Sequence, residues 1–395
     1  METRRAGKLF ASLNDDVVKL VVSFIGVVNI TDLKLAAEFF HLCSFFKVNL
    51  IPYVWSERDF VDLGHYLRGK LNSFSFLSCK LTLHNIRIKG STYKHLADGL
   101  VTNTSLIELD LNCKFIDDVG LGNLASALKS NSTLTRLDLS RNNINHLGVT
   151  SLTSALKANE TLTDLNLAHN RIGALGVQHL AELLKSNHSI QVLNVRDNRV
   201  GGKFGVKALA ETLKANASLL KLDISHNRIE DCGATAFAEA LIYNQTLTVL
   251  DLGANNIFFR GAKSLADALE NNETLLEFKL YRNIIGDSGV SAFVKSLKLN
   301  QVLTTLKLGF NNINNTGAKD VAELIQANKS LTDINLRGNL IDDEGASVIA
   351  NSLVKNKSLK KLGLSKNNIG HQGAESLIKA LKFKNNLRIS MSVPE

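Results

Sequence analysis

The chain has few prolines and cysteines, and it has no apolar stretch long enough to span a membrane. Its 395 residues include two prolines, four cysteines and one tryptophan. So few prolines argue against long proline-rich linkers. The four cysteines are widely spaced and form no CxxC pair, which favours a reducing compartment. The longest apolar stretch, residues 17–30, is interrupted by Lys19, Ser23 and Asn29 and is too short to span a bilayer. The first fifteen residues contain no apolar run of signal-peptide length, so we expect a cytosolic protein.

A short phrase recurs ten times from residue 106 onward, as in Leu134-Thr-Arg-Leu137-Asp-Leu139-Ser-Arg-Asn142. The nine steps between copies measure 28 residues each, apart from one step of 29. This period predicts a solenoid, in which each repeat packs on its neighbours and a broad surface is built from similar parts. The pattern therefore favours binding over chemistry. The opening apolar residues are Leu106, Leu134, Leu162, Ile190, Leu219, Leu247, Leu275, Leu303, Leu331 and Leu359.

Each copy predicts a strand, a turn and a helix. Leu137 and Leu139 are two positions apart and face the core of a short strand, while Asp138 points away from it. The asparagine that follows can form hydrogen bonds with backbone groups that the turn leaves unpaired. Because it recurs in successive repeats, we predict a ladder of stacked asparagine side chains along the solenoid. A glycine and an amphipathic helical pattern come next. The ladder residues are Asn142, Asn170, Asn198, Asn227, Asn255, Asn283, Asn311, Asn339 and Asn367.

These repeats resemble the ribonuclease-inhibitor-like leucine-rich repeats over residues 78–386. The resemblance implies an α/β solenoid shaped as a horseshoe, with a concave parallel sheet and convex helices. Ten repeats are clear, and residues 78–105 fit a degenerate repeat before them, because terminal repeats cap the core. Residues 387–395 are then expected to be a C-terminal tail.

The net charge of +9 raises the possibility of nucleic-acid binding. Five lysines stand in the last turn of the predicted helices, where a cation is favoured by the helix dipole. No aromatic residues alternate with them as a stacking platform requires, which disfavours nucleic acid. The lysines of this column are Lys129, Lys157, Lys185, Lys214 and Lys298.

The predicted concave face changes charge along the solenoid, from aspartates such as Asp138 and Asp223 to a basic C-terminal half. Aromatic and arginine residues on adjacent strands are typical of interface anchors. We therefore predict that a protein target binds there, although Phe310 packing on Tyr281 as a purely structural pair is the alternative. The predicted target-binding residues are Tyr281, Arg282, Phe310, Arg337, Lys279 and Lys307. A second patch, Phe258-Phe259-Arg260, places two phenylalanines in a slot sized for one, so at least one should be exposed.

Three residues that directly precede ladder asparagines in successive repeats are of types that ligate metals or move protons. They are His169, Asp197 and His226. No third imidazole or thiolate is nearby, and an open sheet does not exclude water as a catalytic cleft does. Gly201-Gly202-Lys203 lacks the spacing of a phosphate-binding loop. We therefore predict no enzyme activity, no metal site and no cofactor.

Residues 1–55 differ from the repeats and predict two or three small helices, the first capped near Leu13. They resemble the F-box, a three-helix motif that docks on the Skp adaptor of cullin ubiquitin ligases. The segment departs from the family pattern at two places: Asn14 stands where proline is usual, and Cys43 comes about three residues late relative to Asp32. The alternative is a helical cap on the first repeat. Residues 56–77 would connect this all-α unit to the solenoid. The resemblance implies adaptor contacts at Leu13, Asp15, Asp16, Val17, Leu20, Phe24, Ile25 and Leu33.

An F-box followed by leucine-rich repeats is the layout of substrate receptors of ubiquitin ligases. The expected function is thus to hold a target on the concave face in eukaryotic cytosol, as an endogenous receptor or as an effector delivered by an intracellular bacterium. A scaffold or sensor without ligase association is the second hypothesis. Ran GTPase-activating proteins share the repeat type but carry a long acidic tail that is absent here.

Overall fold

The computed structural model describes residues 27–30, 47–50, 79–83 and 93–391, the last range without positions 105, 114, 202 and 385. The chain divides into two compact units, unit 1 (Met1–Asn194) and unit 2 (Val195–Glu395). Both repeat the same strand, turn and helix. None of the helices in the described ranges is long and apolar enough to cross a membrane.

In the described part of unit 1, seven strands pair in parallel and in chain order, with a helix after each strand from the third to the sixth. The elements are β1 (Val27–Ile30), β2 (Lys47–Leu50), β3 (Cys79–Leu83), α1 (Tyr93–Val101), β4 (Leu106–Asp110), α2 (Asp118–Leu128), β5 (Arg136–Asp138), α3 (His146–Leu156), β6 (Asp164–Asn166), α4 (Gly173–Leu184) and β7 (Val192–Asn194).

The described part of unit 2 begins with a helix and then alternates seven strands with six further helices. Its strands are also parallel and pair in chain order. The elements are α5 (Lys203–Leu213), β8 (Lys221–Asp223), α6 (Glu230–Tyr243), β9 (Val249–Asp251), α7 (Phe259–Leu269), β10 (Glu277–Lys279), α8 (Gly286–Leu297), β11 (Thr305–Lys307), α9 (Asn315–Ala327), β12 (Asp333–Asn335), α10 (Asp343–Lys355), β13 (Lys361–Gly363), α11 (His371–Leu381) and β14 (Arg388–Ser390).

The core of unit 2 lies between the inner face of its strands and one stripe of its helices. The middle residue of each of β8 to β13 is buried, and so is the apolar residue two positions later, as the period of a strand requires. Phe278 of β10 meets Phe293 of α8 edge to face, with ring centroids 6.1 Å apart. The predicted α/β solenoid of alternating strands and helices is confirmed.

The predicted asparagine ladder is present. The side chain of Asn227 is fully buried and its Nδ2 donates to the carbonyl oxygens of Val195 (2.9 Å), Ile224 (3.0 Å) and Ser225 (3.1 Å). Its Oδ1 accepts from the backbone N–H of Asn198 at 2.8 Å. One amide thus satisfies groups in two consecutive repeats, which would otherwise be buried without partners.

A second asparagine ladder, not recognised from the sequence, joins neighbouring repeats in the loops that follow their helices. Asn328 Nδ2 donates to the carbonyl oxygens of Leu297 (2.8 Å) and Asn300 (2.9 Å), while its Oδ1 accepts from Leu331 N–H at 2.7 Å. Each amide therefore covers carbonyl groups left open where the preceding helix ends. The same pattern recurs at Asn131, Asn159, Asn187, Asn244, Asn272, Asn300 and Asn356.

At several of the recurring glycines, a carboxylate or amide from the preceding repeat reaches the start of a helix. Asp287 Oδ1 accepts from the N–H of Asn314 (2.9 Å) and of Gly317 (3.0 Å). A Cβ on Gly317 would overlap both that oxygen and the Ile313 side chain. The glycine is thus required by close approach.

Two features of the fold differ from the expected layout. The segment 1–55, for which we predict helices, contains β1 and β2, which pair with each other and continue to β3. The segment 387–395, for which we predict a tail, contains β14, which pairs with β13. Such pairing satisfies backbone groups that would otherwise lie open at the edge of β13. The eight predicted adaptor-contact residues lie outside the described residues.

Candidate protein-binding surface

The exposed strand face of unit 2 carries most of the predicted target-binding residues. Tyr281, just after β10, extends over Gly253, which follows the neighbouring strand β9 and leaves room for its ring. A Cβ on Gly253 would overlap Cε1 and Cζ of the ring. The Tyr281 hydroxyl accepts a hydrogen bond from Arg196 Nη1 at 2.8 Å. The tyrosine thus spans several repeats and is held at its polar end.

His226 joins this network. Its Nε2 lies 3.0 Å from Arg196 Nη2, and its ring centroid lies 6.2 Å from that of Tyr281. Burial and the positive charge of Arg196 lower the pKa of His226. The imidazole that we considered as a metal ligand is therefore engaged with a guanidinium. In the described ranges, no group of three or more His, Cys, Asp or Glu side chains is placed to hold a metal ion.

Two aspartates stand opposite each other on β8 and β9. Asp251 pairs in register with Asp223 and is 6% exposed. Burial and the negative charge of Asp223 raise the pKa of Asp251 to about 7. The N–H of Gly253 donates to its Oδ1 at 2.9 Å, and the Lys279 ammonium lies 4.0 Å from its Oδ2, and both favour the ionised form.

A second cluster, which we call the Phe310 patch, consists of Arg282, Phe310 and Arg337. The Arg282 guanidinium lies 5.1 Å from the centroid of the Phe310 ring, within the range of a cation–π contact. The ring covers Gly338, where a Cβ would overlap it and φ is +72°. The Phe310 N–H donates to the Arg337 carbonyl oxygen at 2.8 Å, so the three residues sit on neighbouring repeats.

The two predicted lysines are already engaged in ion pairs. Lys307 Nζ lies 2.6 Å from Asp333 Oδ2, and Lys279 Nζ lies 3.1 Å from Glu277 Oε1. Arg282 and Arg337 are exposed and take part in none of the ion pairs found among the described residues. Among the six predicted residues, the positive charge that remains available to a partner therefore belongs to the arginines.

The structure thus separates the two predicted aromatic residues. Tyr281 extends over Gly253 toward Arg196, whereas Phe310 covers Gly338 on the other side. Arg196 and its bond to Tyr281 were not recognised from the sequence. The sequence feature that could have indicated this bond is Gly253, a small residue at the equivalent position of a repeat between those of Arg196 and Tyr281. Elsewhere in unit 2, Phe258 and Phe259 are 45% and 48% exposed, as predicted for at least one of them.

The strand face of unit 1 has the opposite character. Arg136 Nη1 lies 3.2 Å from Glu108 Oε1, and its Nε lies 3.1 Å from Asp164 Oδ2, so one cation joins carboxylates of β4 and β6. Burial raises the pKa of Asp164, although Arg136 opposes this. Asp110 and Asp138 line the same depression of about 260 Å³. This face suits a basic partner better than an acidic one.

Comparison with known proteins places this architecture in a family. The Leucine Rich repeat family matches the chain over residues 130–152, 158–181, 186–210, 215–238, 243–266, 299–322, 327–350 and 355–377. Since these stretches follow the observed strand and helix repeat, the chain is a leucine-rich-repeat protein and thus a protein-interaction module. The ribonuclease-inhibitor-like subtype stays a prediction.

Two solved structures are similar to parts of the chain. Actin-binding site 2 of leiomodin-1 is 26% identical with a TM-score of 0.33, and the match covers 36% of this chain and 84% of that one. An internalin from Listeria monocytogenes is 19% identical with a TM-score of 0.43, and the match covers 76% of this chain and 82% of the other. No curated protein matches the chain.

Proposed function

We propose that the chain is a non-catalytic receptor that holds an acidic or phosphorylated protein segment on the strand face of unit 2. The observation that carries this proposal is the Phe310 patch. Its arginines keep their charge available, and the phenylalanine offers apolar area beside them. Arginine donates two parallel hydrogen bonds to a carboxylate or phosphate, so the patch combines charge with geometric selectivity.

The Tyr281 network supports the same role. Because Arg196 and Gly253 fix the tyrosine, little side-chain freedom remains to be lost when a partner binds. Half-buried Tyr281 and exposed Arg282 also belong to the residue types that dominate interface energetics.

The experiment compares proteins co-precipitated from eukaryotic cytosolic lysate by the wild-type chain and by an Arg282→Ala, Arg337→Ala variant. A genuine target should be lost from the variant and should be rich in acidic or phosphorylated segments. Arg199→Ala with Arg228→Ala is the matched control, because both arginines are exposed in turns of the same unit. Equal loss from both double variants would mean that net charge, not the patch, drives capture, and would refute the proposal.

The finer part of the proposal is that residues 13–33 join this receptor to a cullin-type ubiquitin ligase through the Skp adaptor. Its support is the F-box resemblance, and it implies action in eukaryotic cytosol, the protein's own or a host's. The strand β1, between Ile25 and Leu33, is not a feature of a three-helix motif. Direct binding must therefore be tested with purified adaptor, using wild type and Val17→Asp with Leu20→Asp. Failure of the wild type to bind would favour the scaffold or sensor without ligase association.

A further inference from the structure

One edge of unit 2, where its helices end, carries large exposed apolar side chains among lysines. We call it the helix-end edge. Leu299, Val354 and Phe383 are 65%, 48% and 73% exposed. Apolar groups that protrude into solvent next to cations are typical of surfaces that enter a membrane interface.

The second asparagine ladder places these residues along one edge. Asn356 Nδ2 reaches the Asn328 carbonyl oxygen at 3.5 Å, and Asn328 Nδ2 reaches that of Asn300 at 2.9 Å. Leu299 directly precedes one ladder residue, and Lys355 directly precedes another. Phe383 occupies the corresponding position one repeat after Lys355, two residues past the end of α11.

Lysines surround a depression on this edge. Lys329, Lys355 and Lys357, together with Ser358, line a space of about 330 Å³ between the ends of α9 and α10. The three lysines take part in none of the ion pairs found among the described residues. Burial and the neighbouring charge of Lys357 lower the pKa of Lys384, so positive charges stand close together here.

The same edge of unit 1 is less apolar: among its described helix ends, Val101 is the large apolar residue that is exposed. The positions that correspond to Leu299, Lys355 and Phe383 are Ser130, Ala158 and Ser186. Lys185 is there, but its Nζ is paired with Glu182 Oε2 at 2.7 Å. Lysines at helix ends are therefore general to the repeat, whereas Leu299, Lys355 and Phe383 stand at positions where these three repeats of unit 1 carry small residues.

We propose that the helix-end edge binds the surface of a membrane that contains anionic lipids. The ammonium groups of Lys329, Lys355 and Lys357 attract lipid phosphates and carboxylates, and the depression between them admits a headgroup. Leu299, Val354 and Phe383 enter the boundary between headgroups and acyl chains. A nucleic acid is the weaker fit, because the exposed apolar side chains here are mostly aliphatic and cannot stack on bases.

Sedimentation of the full chain with vesicles tests this proposal. We expect binding to vesicles of equal parts phosphatidylcholine and phosphatidylserine, weak binding to phosphatidylcholine alone, and loss of binding at high salt. Lys355→Glu with Lys357→Glu should weaken binding by roughly tenfold or more. Leu299→Ser with Phe383→Ser should weaken it similarly while leaving the charge unchanged.

The matched control is Lys157→Glu with Lys185→Glu, which makes the same charge change on the corresponding edge of unit 1. It should bind vesicles as the wild type does, and melting curves should show that every variant is folded. Equal loss in control and test variants, full binding by the serine variant, or binding to single-stranded RNA without binding to vesicles would each overturn the proposal.

Discussion

Arg196 and Tyr281 are 85 positions apart in the chain, yet the guanidinium donates to the phenol oxygen at 2.8 Å. The bond connects residues whose backbones belong to different repeats, and the ring between them lies over Gly253, which follows β9. The face is therefore shaped by long side chains that reach across several repeats, not only by the order of residues along each strand. A partner meets a surface whose main aromatic group is already fixed.

Gly253→Ala should displace Tyr281 without changing any charge. The added Cβ would overlap the ring, so the tyrosine must rotate away from Arg196 and the preformed surface is lost. We expect weaker target binding, by roughly tenfold, in a titration with the captured target. Gly122→Ala is the control, because the nearest atom to its added Cβ is Ser151 Oγ at 3.9 Å. Unchanged binding in the Gly253 variant would show that Tyr281 does not contribute.

Asn227→Ala should destabilise the solenoid by about 1 to 3 kcal/mol, since buried backbone groups of two repeats lose their partners. Chemical denaturation measures the difference. Lys185→Ala serves as the comparison, because its ion pair with Glu182 is exposed and contributes little. Similar shifts for both variants would contradict the structural role of the first ladder.

Asp251 should make stability depend on pH. Its pKa in the folded chain, about 7, is above the value of 3.8 expected for an unperturbed aspartate. Between these values the unfolded chain has released the proton and the folded chain keeps it, so stability falls as pH rises from about 4 to about 7 and then levels off. Below about 4 both states are protonated, and the group has no effect.

Asp251→Asn removes this titration while it keeps an oxygen for the Gly253 N–H. We expect the variant to gain stability relative to the wild type as pH rises through this window, measured by denaturation at a series of pH values. Asp197→Asn, at an exposed position of the same face, is the control and should follow the wild type. A constant difference between Asp251→Asn and wild type at every pH would argue against a raised pKa.

Periodicity predicted the features that every repeat shares. The strands, the Asn227 ladder and the glycines at helix starts follow from the alternation of small, apolar and amide positions. The second ladder was missed because Asn328 and its counterparts stand among polar loop residues and resemble ordinary turn formers. The ion pair of Lys307 with Asp333 depends on side-chain direction across neighbouring strands. Comparing equivalent positions of the repeats identified Lys307 as a basic residue of the face, but not Asp333, which neutralises it.

Substitutions on the two strand faces should show which of them binds the target. Arg282→Ala with Phe310→Ala should lower target affinity by roughly tenfold or more, because it removes both the guanidinium and the ring on which it lies. Arg282→Lys keeps the charge but loses the planar contact with the ring, so it should fall between wild type and the double variant. Melting of the Arg282→Lys variant should change little, since Arg282 is exposed. Asp138→Asn with Asp164→Asn, on the acidic face of unit 1, should leave binding of an acidic target intact. The reverse result, with loss only in the unit 1 variant, would move the binding site to unit 1 and indicate a basic partner.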